Sequence, residues 1–186
     1  MPSRRGLTRA EILDTALALA DDDGLAAVGM RAVAQRLGVT PMALYRHVGD
    51  KEALLDGLVE RLLTEVDVPG PEQAPVDRLL ASAASLRAVA RRHPEAFGLL
   101  LARRAATPGA LDARDAVLAA LVEAGVARDD VGRLERILST FVIGFAASEA
   151  SGRFADVERA DADFAYAVRL LTTALAATTT PPLAGS

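Results

Sequence analysis

Cysteine is absent from the 186 residues. That removes disulfide frameworks, thiolate zinc sites and cysteine nucleophiles. Tryptophan is absent as well, and aromatic residues make up only 4% of the chain. A core built mainly from Ala, Leu and Val suits packed helices better than a sheet. Lysine is almost missing: Lys51 is the single one, and every other basic side chain is arginine or histidine. No apolar run approaches the roughly 20 residues that cross a bilayer. The best candidate, 137–147, is interrupted by Ser139 and Thr140. The N-terminal MPSRRGLTRAE has no apolar signal core. The two histidines, His47 and His93, are far apart, and no glycine-rich phosphate loop follows a strand. The expectation is a cytoplasmic protein with no membrane partner, no catalytic residues, no metal and no cofactor.

What is present is ample apolar material. Hydrophobic residues reach 51% and the mean hydropathy is +0.23, enough to bury a substantial core. The length fits one domain, or a small module joined to a larger one. The net charge of −4 argues against a polyanionic partner when the chain is taken whole. The distribution is uneven, however. Residues 1–51 hold seven cations against six anions, and the remainder fourteen against nineteen. A phosphate backbone responds to the local face and not to the total.

Local signals divide the chain into helices. Thr8-x-x-Glu11 is a capping box, followed by the apolar stripe Ile12, Leu13, Ala16, Leu17 and Ala20 and a stop at Gly24. Asp21–Asp23 fall near the end of this helix, where the macrodipole disfavours anions. A short helix follows near Met30–Leu37 and stops at Gly38. The next has Thr40 as N-cap and Pro41 at its first position, and ends near Val48–Gly49. Asp50 caps a fourth, with Leu54, Leu55, Leu58, Val59, Leu62 and Leu63 inward. Val68-Pro69-Gly70-Pro71, continuing to Pro75, reads as a linker. Five further helical segments are predicted at about 76–92, 95–104, 109–124, 129–151 and 161–177. Asp161 and Asp163 are placed at the start of the last.

The stretch AVAQRLGVTPMALYRHV, residues 32–48, carries the chemistry. Two short helices meet at Leu37-Gly38-Val39. Gly38 accepts the positive φ the corner needs, Ala34 lets the helices cross closely, and Val33, Leu37, Val39 and Leu44 fill the wedge. This is the helix-turn-helix pattern. On its second helix Leu44 and Val48 point inward, while Met42, Ala43 and Arg46 point outward, flanked by Tyr45 and His47. Such a helix fits the major groove of duplex DNA.

Residues 8–66 resemble the DNA-binding domain of the tetracycline-repressor (TetR) family. The carrying residues are AEILDTALALADDDGL and MRAVAQRLGVTPMALYRHVGDKEALLDGL. The remainder is similar to that family's helical C-terminal domain in length, helix count and order. The resemblance implies an all-α fold: a three-helix helix-turn-helix domain over residues 1–50, then a helical ligand-binding and dimerisation domain over 51–186, joined through the helix 51–66. It implies a homodimer on double-stranded, palindromic operator DNA, released by a small apolar or amphipathic effector. Carried over, Arg31, Thr40, Tyr45, His47 and Lys51 match positions that touch phosphates, and Pro41, Met42 and Ala43 those nearest the bases. Met42 and Ala43 make no bidentate hydrogen bonds but contact thymine methyls. Arg46, Thr40, water and DNA shape then carry the sequence reading.

Plainer readings stand beside these. Tyr45 is otherwise a half-buried packing residue, His47 a cap for its helix terminus, and Lys51 a solvated cation. Arg4, Arg5 and Arg9 read as a solvated arm or as a minor-groove arm. His93, before Pro94, reads as an exposed turn residue, with a ligand or metal role as the lesser alternative. Phe97, Phe141 and Phe145 are the candidate ligand contacts, and Phe154 joins Phe97 as a candidate pocket residue; the first reading of Phe141 and Phe145 is core or interface. The stripes Val131, Leu134, Leu138, Phe141, Val142, Phe145 and Phe164, Val168, Leu171, Leu175 suggest two helices per subunit in a four-helix dimer bundle, or packing within one subunit. A DNA-binding protein without an inducer is the alternative function, with an enzyme a remote third. An apolar cavity within 76–175 separates the first two.

Overall fold

The computed structural model describes residues 6–105, 107–154 and 156–179, and excludes the side chains of 109–110 and 174–179. Arg4, Arg5, the side chain of Leu175 and the C-terminal tail therefore lie outside the described residues. Among those described, the regular elements are helical: α1 (Arg9–Asp23), a 3-10 turn (Leu25–Ala27), α2 (Met30–Leu37), α3 (Pro41–Val48), α4 (Lys51–Thr64), α5 (Pro75–Arg92), α6 (Pro94–Phe97), α7 (Leu99–Ala102), α8 (Pro108–Glu123), α9 (Arg128–Ala150) and α10 (Val157–Thr179). The fold is all-α, with a helix-turn-helix at its N-terminal end.

Short-range signals set the first four helices. The Thr8 hydroxyl accepts from the Glu11 amide at 3.2 Å, and Glu11 Oε2 accepts from the Thr8 amide at 2.9 Å, so both sides of the capping box are made. Gly38 is left-handed with φ 68°. The Val39 amide donates to Ala34 O at 3.0 Å and the Gly38 amide to Gln35 O at 3.1 Å, which satisfies the last carbonyls of α2 and turns the chain into α3. Thr40 takes the N-cap position, but its hydroxyl makes no capping bond. Asp50 does cap α4, accepting from the Ala53 amide at 2.8 Å.

Two boundaries differ from expectation. The segment predicted at 95–104 is broken at Gly98 into α6 and α7. The last helix begins at Val157, because Asp156 accepts from the Arg159 amide at 3.0 Å and supplies the cap. Asp161 and Asp163 consequently sit inside α10, and Asp161 is held by Arg87 and Arg91.

Helix α4 packs tightly on α1. Gly57 is buried, and a Cβ there would lie 2.5 Å from Leu13 Cδ2. Arg9 donates twice to Glu60, at 2.9 and 3.0 Å, and Arg61 donates to Asp14 at 2.5 Å. The Arg9 hydrogen bond holds the Glu60 carboxyl below its usual range. Arg9 is thus a tie between helices and not part of an arm. The acidic run at the end of α1 is likewise used across helices. Asp22 and Asp23 pair with Arg36, and Asp21 meets His93 Nδ1 at 2.8 Å. His93 Nε2 meets Glu65 at 3.0 Å. The expected turn residue is instead largely enclosed and bridges α1, the end of α4 and the break before α6.

The main core runs from Ile12, Ala16, Leu44, Leu54 and Leu58 through Val89 and Phe97 to Ala146, so the first four helices share one apolar interior with α5, α6, α7 and α9, while α8 and α10 pack in two smaller clusters. A second ion-pair centre ties α5, α9 and α10. Arg87 donates to both Glu149 oxygens at 2.6 and 2.7 Å, and its guanidinium lies 4.6 Å from the Phe164 ring centroid and 5.4 Å from that of Phe145. Burial pushes the Glu149 carboxyl up, but Arg87 and Arg91 outweigh it and hold the group below its usual range. Val131, Val142, Phe164 and Val168 of the expected dimer stripes are buried within the subunit. Among the described residues, the large apolar side chains left outward on α9 and α10 are others: Ile137, Val157, Tyr166 and Leu170.

Candidate nucleic-acid interface and apolar cavity

Helix α3 is anchored by Leu44 and Val48, both buried, and so shows its other side to solvent. Met42 is 70% exposed and Tyr45 48%. Thr40, Arg46 and His47 are exposed, and Pro41 and Ala43 partly so. Arg31, in the first turn of α2, and Lys51, in the first turn of α4, are exposed as well. The nine residues singled out from sequence thus all belong to the turn, to α3 or to the opening turns of the two helices beside it.

Their electrostatic setting sets them apart from neighbouring cations. Among the described residues Arg31, Arg46, His47 and Lys51 form no ion pair. By contrast Arg9 is held by Glu60, Arg36 by Asp22 and Asp23, and Arg61 by Asp14 and Glu65. The Thr40 hydroxyl, not engaged in capping, adds a polar group at the start of α3. The result is a convex helix with cations around it, available to polyanions.

A cavity of about 280 Å³ lies deeper in the chain. Its apolar wall comes from Leu63 of α4, Val66 just beyond it, Leu86 of α5, Val117 of α8, Val142 of α9 and Leu171 of α10. The polar groups on the wall are Ser82, Arg103, Arg114, Glu135, Ser139 and Thr172. Arg103, just after α7, also reaches outward to α4. It donates to Asp56 at 2.7 Å, to the Glu52 carboxylate at 2.9 Å and to Glu52 O at 3.0 Å. Its hydrogen bonds to Asp56 and then to Glu52 push the Arg103 guanidinium above its usual range.

None of the three expected ligand contacts lines this cavity. Phe97 is fully buried in the main core. Phe141 and Phe145 pack with Phe164, at centroid distances of 6.4 and 5.2 Å, and Phe145 with Phe154 at 5.0 Å. Phe145 and Phe164 lie against Arg87, and the apolar part of the cavity wall is aliphatic. A stripe of Leu and Val carries no sequence signal that separates cavity wall from solid core. Among the described residues no helix is long and apolar enough to cross a membrane, and no group of three or more His, Asp or Glu is placed to hold a metal ion.

The profile of bacterial regulatory proteins of the tetR family matches residues 12–58, and that of the tetracyclin repressor-like C-terminal domain matches 68–184. An HTH-type transcriptional regulator of Saccharopolyspora erythraea is 37% identical over 153 residues, which is 81% of this chain and 64% of that protein. The chain therefore spans a little under two thirds of that relative's length. Apo ActR from Streptomyces coelicolor superposes with a TM-score of 0.84 at 27% identity, over 95% of this chain and 98% of ActR. The same protein is known in complex with actinorhodin. BioQ, solved with its double-stranded DNA operator, superposes with a TM-score of 0.76 at 28% identity over 92% of this chain and 99% of BioQ.

Proposed function

Since this chain belongs to the tetR family of bacterial regulatory proteins, we propose that it is a sequence-specific, ligand-responsive DNA-binding repressor that acts as a homodimer in the cytoplasm. Residues 1–50 read DNA, residues 51–186 dimerise and hold the effector, and α4 connects the two tasks. The observation that carries this reading is the outward face of α3 and the unpaired cations around it. Arg31, Thr40, Tyr45, His47 and Lys51 position the protein on phosphates, while Pro41, Met42, Ala43 and Arg46 face base edges. A structural neighbour solved on its own operator supports that docking.

A single helix-turn-helix makes few contacts, and a symmetric pair doubles them. Ile137, Tyr166 and Leu170 form an apolar face on α9 and α10 that a second copy covers, giving half-sites roughly 34–36 Å apart. The cavity favours an inducible regulator over a constitutive DNA-binding protein, as does a neighbour that holds actinorhodin. A ligand that fits only one arrangement of the paired recognition helices competes with DNA by linkage. The mechanism involves no chemical step.

Selection of bound sequences from a random duplex library tests the reading. Enriched inverted repeats, with half-site centres about one helical turn apart, are the expected result. A library that stays random after repeated rounds, at salt low enough to retain binding, overturns it.

A further inference from the structure

The polar part of the cavity wall is short of donors. Ser82 Oγ donates to Arg78 O at 2.7 Å, Ser139 Oγ to Arg136 O at 3.3 Å, and Thr172 Oγ1 to Val168 O at 3.0 Å. Each hydroxyl has one hydrogen, and each is turned back onto its own helix, so toward the cavity these groups accept. The charged donors on the wall are two guanidiniums, Arg103 and Arg114.

These two are not equally free to move. Arg114 pairs at 3.3 Å with Glu135, whose side chain is only 10% exposed. Drawing Arg114 away would leave that enclosed carboxylate alone in an apolar wall, which is strongly unfavourable. Arg103 is different. Its partners Glu52 and Asp56 are 71% and 47% exposed. Water replaces the guanidinium on them at little cost. Arg103 is therefore the exchangeable donor of the cavity.

On the reading that this cavity is the effector site, we infer that the effector is a mostly apolar molecule bearing one acidic oxygen group, and that this group binds by taking Arg103 from Glu52 and Asp56. Glu52 directly follows Lys51 at the start of α4. With Arg103 in place its charge is neutralised beside a phosphate-facing cation. With Arg103 turned inward it is a bare anion next to the DNA face, and the first turns of α4 lose three hydrogen bonds. Both changes oppose DNA binding. A neutral molecule of the same shape fills the apolar space and leaves the clasp closed.

Decanoate and decanol share a chain and differ in head group, so they serve as matched probes. Their affinities for the full chain are measured by calorimetry, and release by anisotropy of a selected operator duplex. Decanoate is expected to bind about tenfold more tightly than decanol, the scale of one charge-assisted hydrogen bond, and to release DNA where decanol does not. Arg103→Gln is expected to abolish the preference, and Arg114→Gln made together with Glu135→Gln, which strands no charge, to retain it. If Arg103→Gln fails to fold, the double variant Glu52→Gln, Asp56→Asn carries the test: with the competitors gone, decanoate binds more tightly and decanol as before. Equal binding of the two probes by the native chain, a preference that survives Arg103→Gln, loss of preference when Arg114→Gln and Glu135→Gln are combined, or an unchanged decanoate affinity when Glu52→Gln and Asp56→Asn are combined overturns the acid assignment while the cavity remains a ligand site. Binding of neither probe overturns the effector-site reading itself, and this proposal with it.

Discussion

Lys51→Ala is the most direct probe of the interface. Lys51 is exposed at the N-terminus of α4 and free of ion pairs among the described residues, so its removal breaks no internal contact that holds the fold. A dimer presents it twice. Each phosphate neutralised contributes about 0.9 to the slope of log affinity against log salt, so losing two contacts flattens the slope by about 1.8. Across a fourfold rise in salt, from about 50 to about 200 mM, the native protein should then lose roughly 12-fold more affinity than the variant. Anisotropy titrations on an operator duplex and an unrelated duplex give both slopes, and the change should be the same on each, because phosphates carry no sequence. Arg36→Ala is the matched control. Its cation is already neutralised by Asp22 and Asp23, so its removal should leave the slope unchanged. A Lys51→Ala slope equal to that of the native protein, or an Arg36→Ala slope that falls as far, would refute the division of cations into those used by the fold and those left for DNA.

Tyr45→Ala should weaken binding to every duplex alike, whereas Met42→Ala or Arg46→Ala should change which sequences a random library returns; an unchanged consensus from both would remove α3 from the base edges. Gly57→Ala forces a methyl against Leu13 and should cost about 1–3 kcal/mol in a urea melt; a gain in stability would mean that α1 and α4 are not in close contact. Glu149→Gln removes the enclosed partner of Arg87 and leaves it only the more exposed Asp161, which should cost about 2–3 kcal/mol at neutral pH, less than the full loss of a buried pair. Because the folded Glu149 carboxyl lies below its ordinary value of 4.5, its contribution is complete above that value and fades as pH falls through the lower one. The variant should therefore show a flatter acid limb in stability against pH; an acid limb as steep as the native one sinks the assignment.

The N-terminal helices were legible because their signals are local. The box at Thr8 and Glu11, the left-handed corner at Gly38, Pro41 at the start of α3 and the Asp50 cap each act within a few residues. The outward face of α3 follows from the phase set by Leu44 and Val48. What sequence did not show rests on partners far along the chain. His93 lies 72 residues from Asp21 and 28 from Glu65, and nothing in either neighbourhood marks the pairing. The same holds for Arg103 with Glu52 and Asp56, and for the cavity, whose Leu and Val residues have the same pattern as solid core. The placement of the phenylalanines away from this cavity was hidden for a related reason. A large ring attracts a ligand reading, yet here Phe97 lies in the main core and Phe145 packs with Phe164 against the Arg87 guanidinium.

The charge of the first 51 residues shows why composition understates such an interface. Seven cations against six anions is close to neutral. Yet every one of the six anions is engaged within the protein. Glu11 and Asp50 serve helix caps, Asp14 holds Arg61, Asp22 and Asp23 hold Arg36, and Asp21 meets His93. Two of those partners, Arg61 and His93, lie outside the segment, so its acids compensate charge elsewhere, while Arg31, Arg46 and Lys51 receive no acid partner from it. A nearly balanced sequence therefore folds into a positive face. The sign of a surface is decided by which side chains the fold pairs, and a net charge of −4 is compatible with tight binding to a polyanion when the acids are the groups turned toward the protein's own helices.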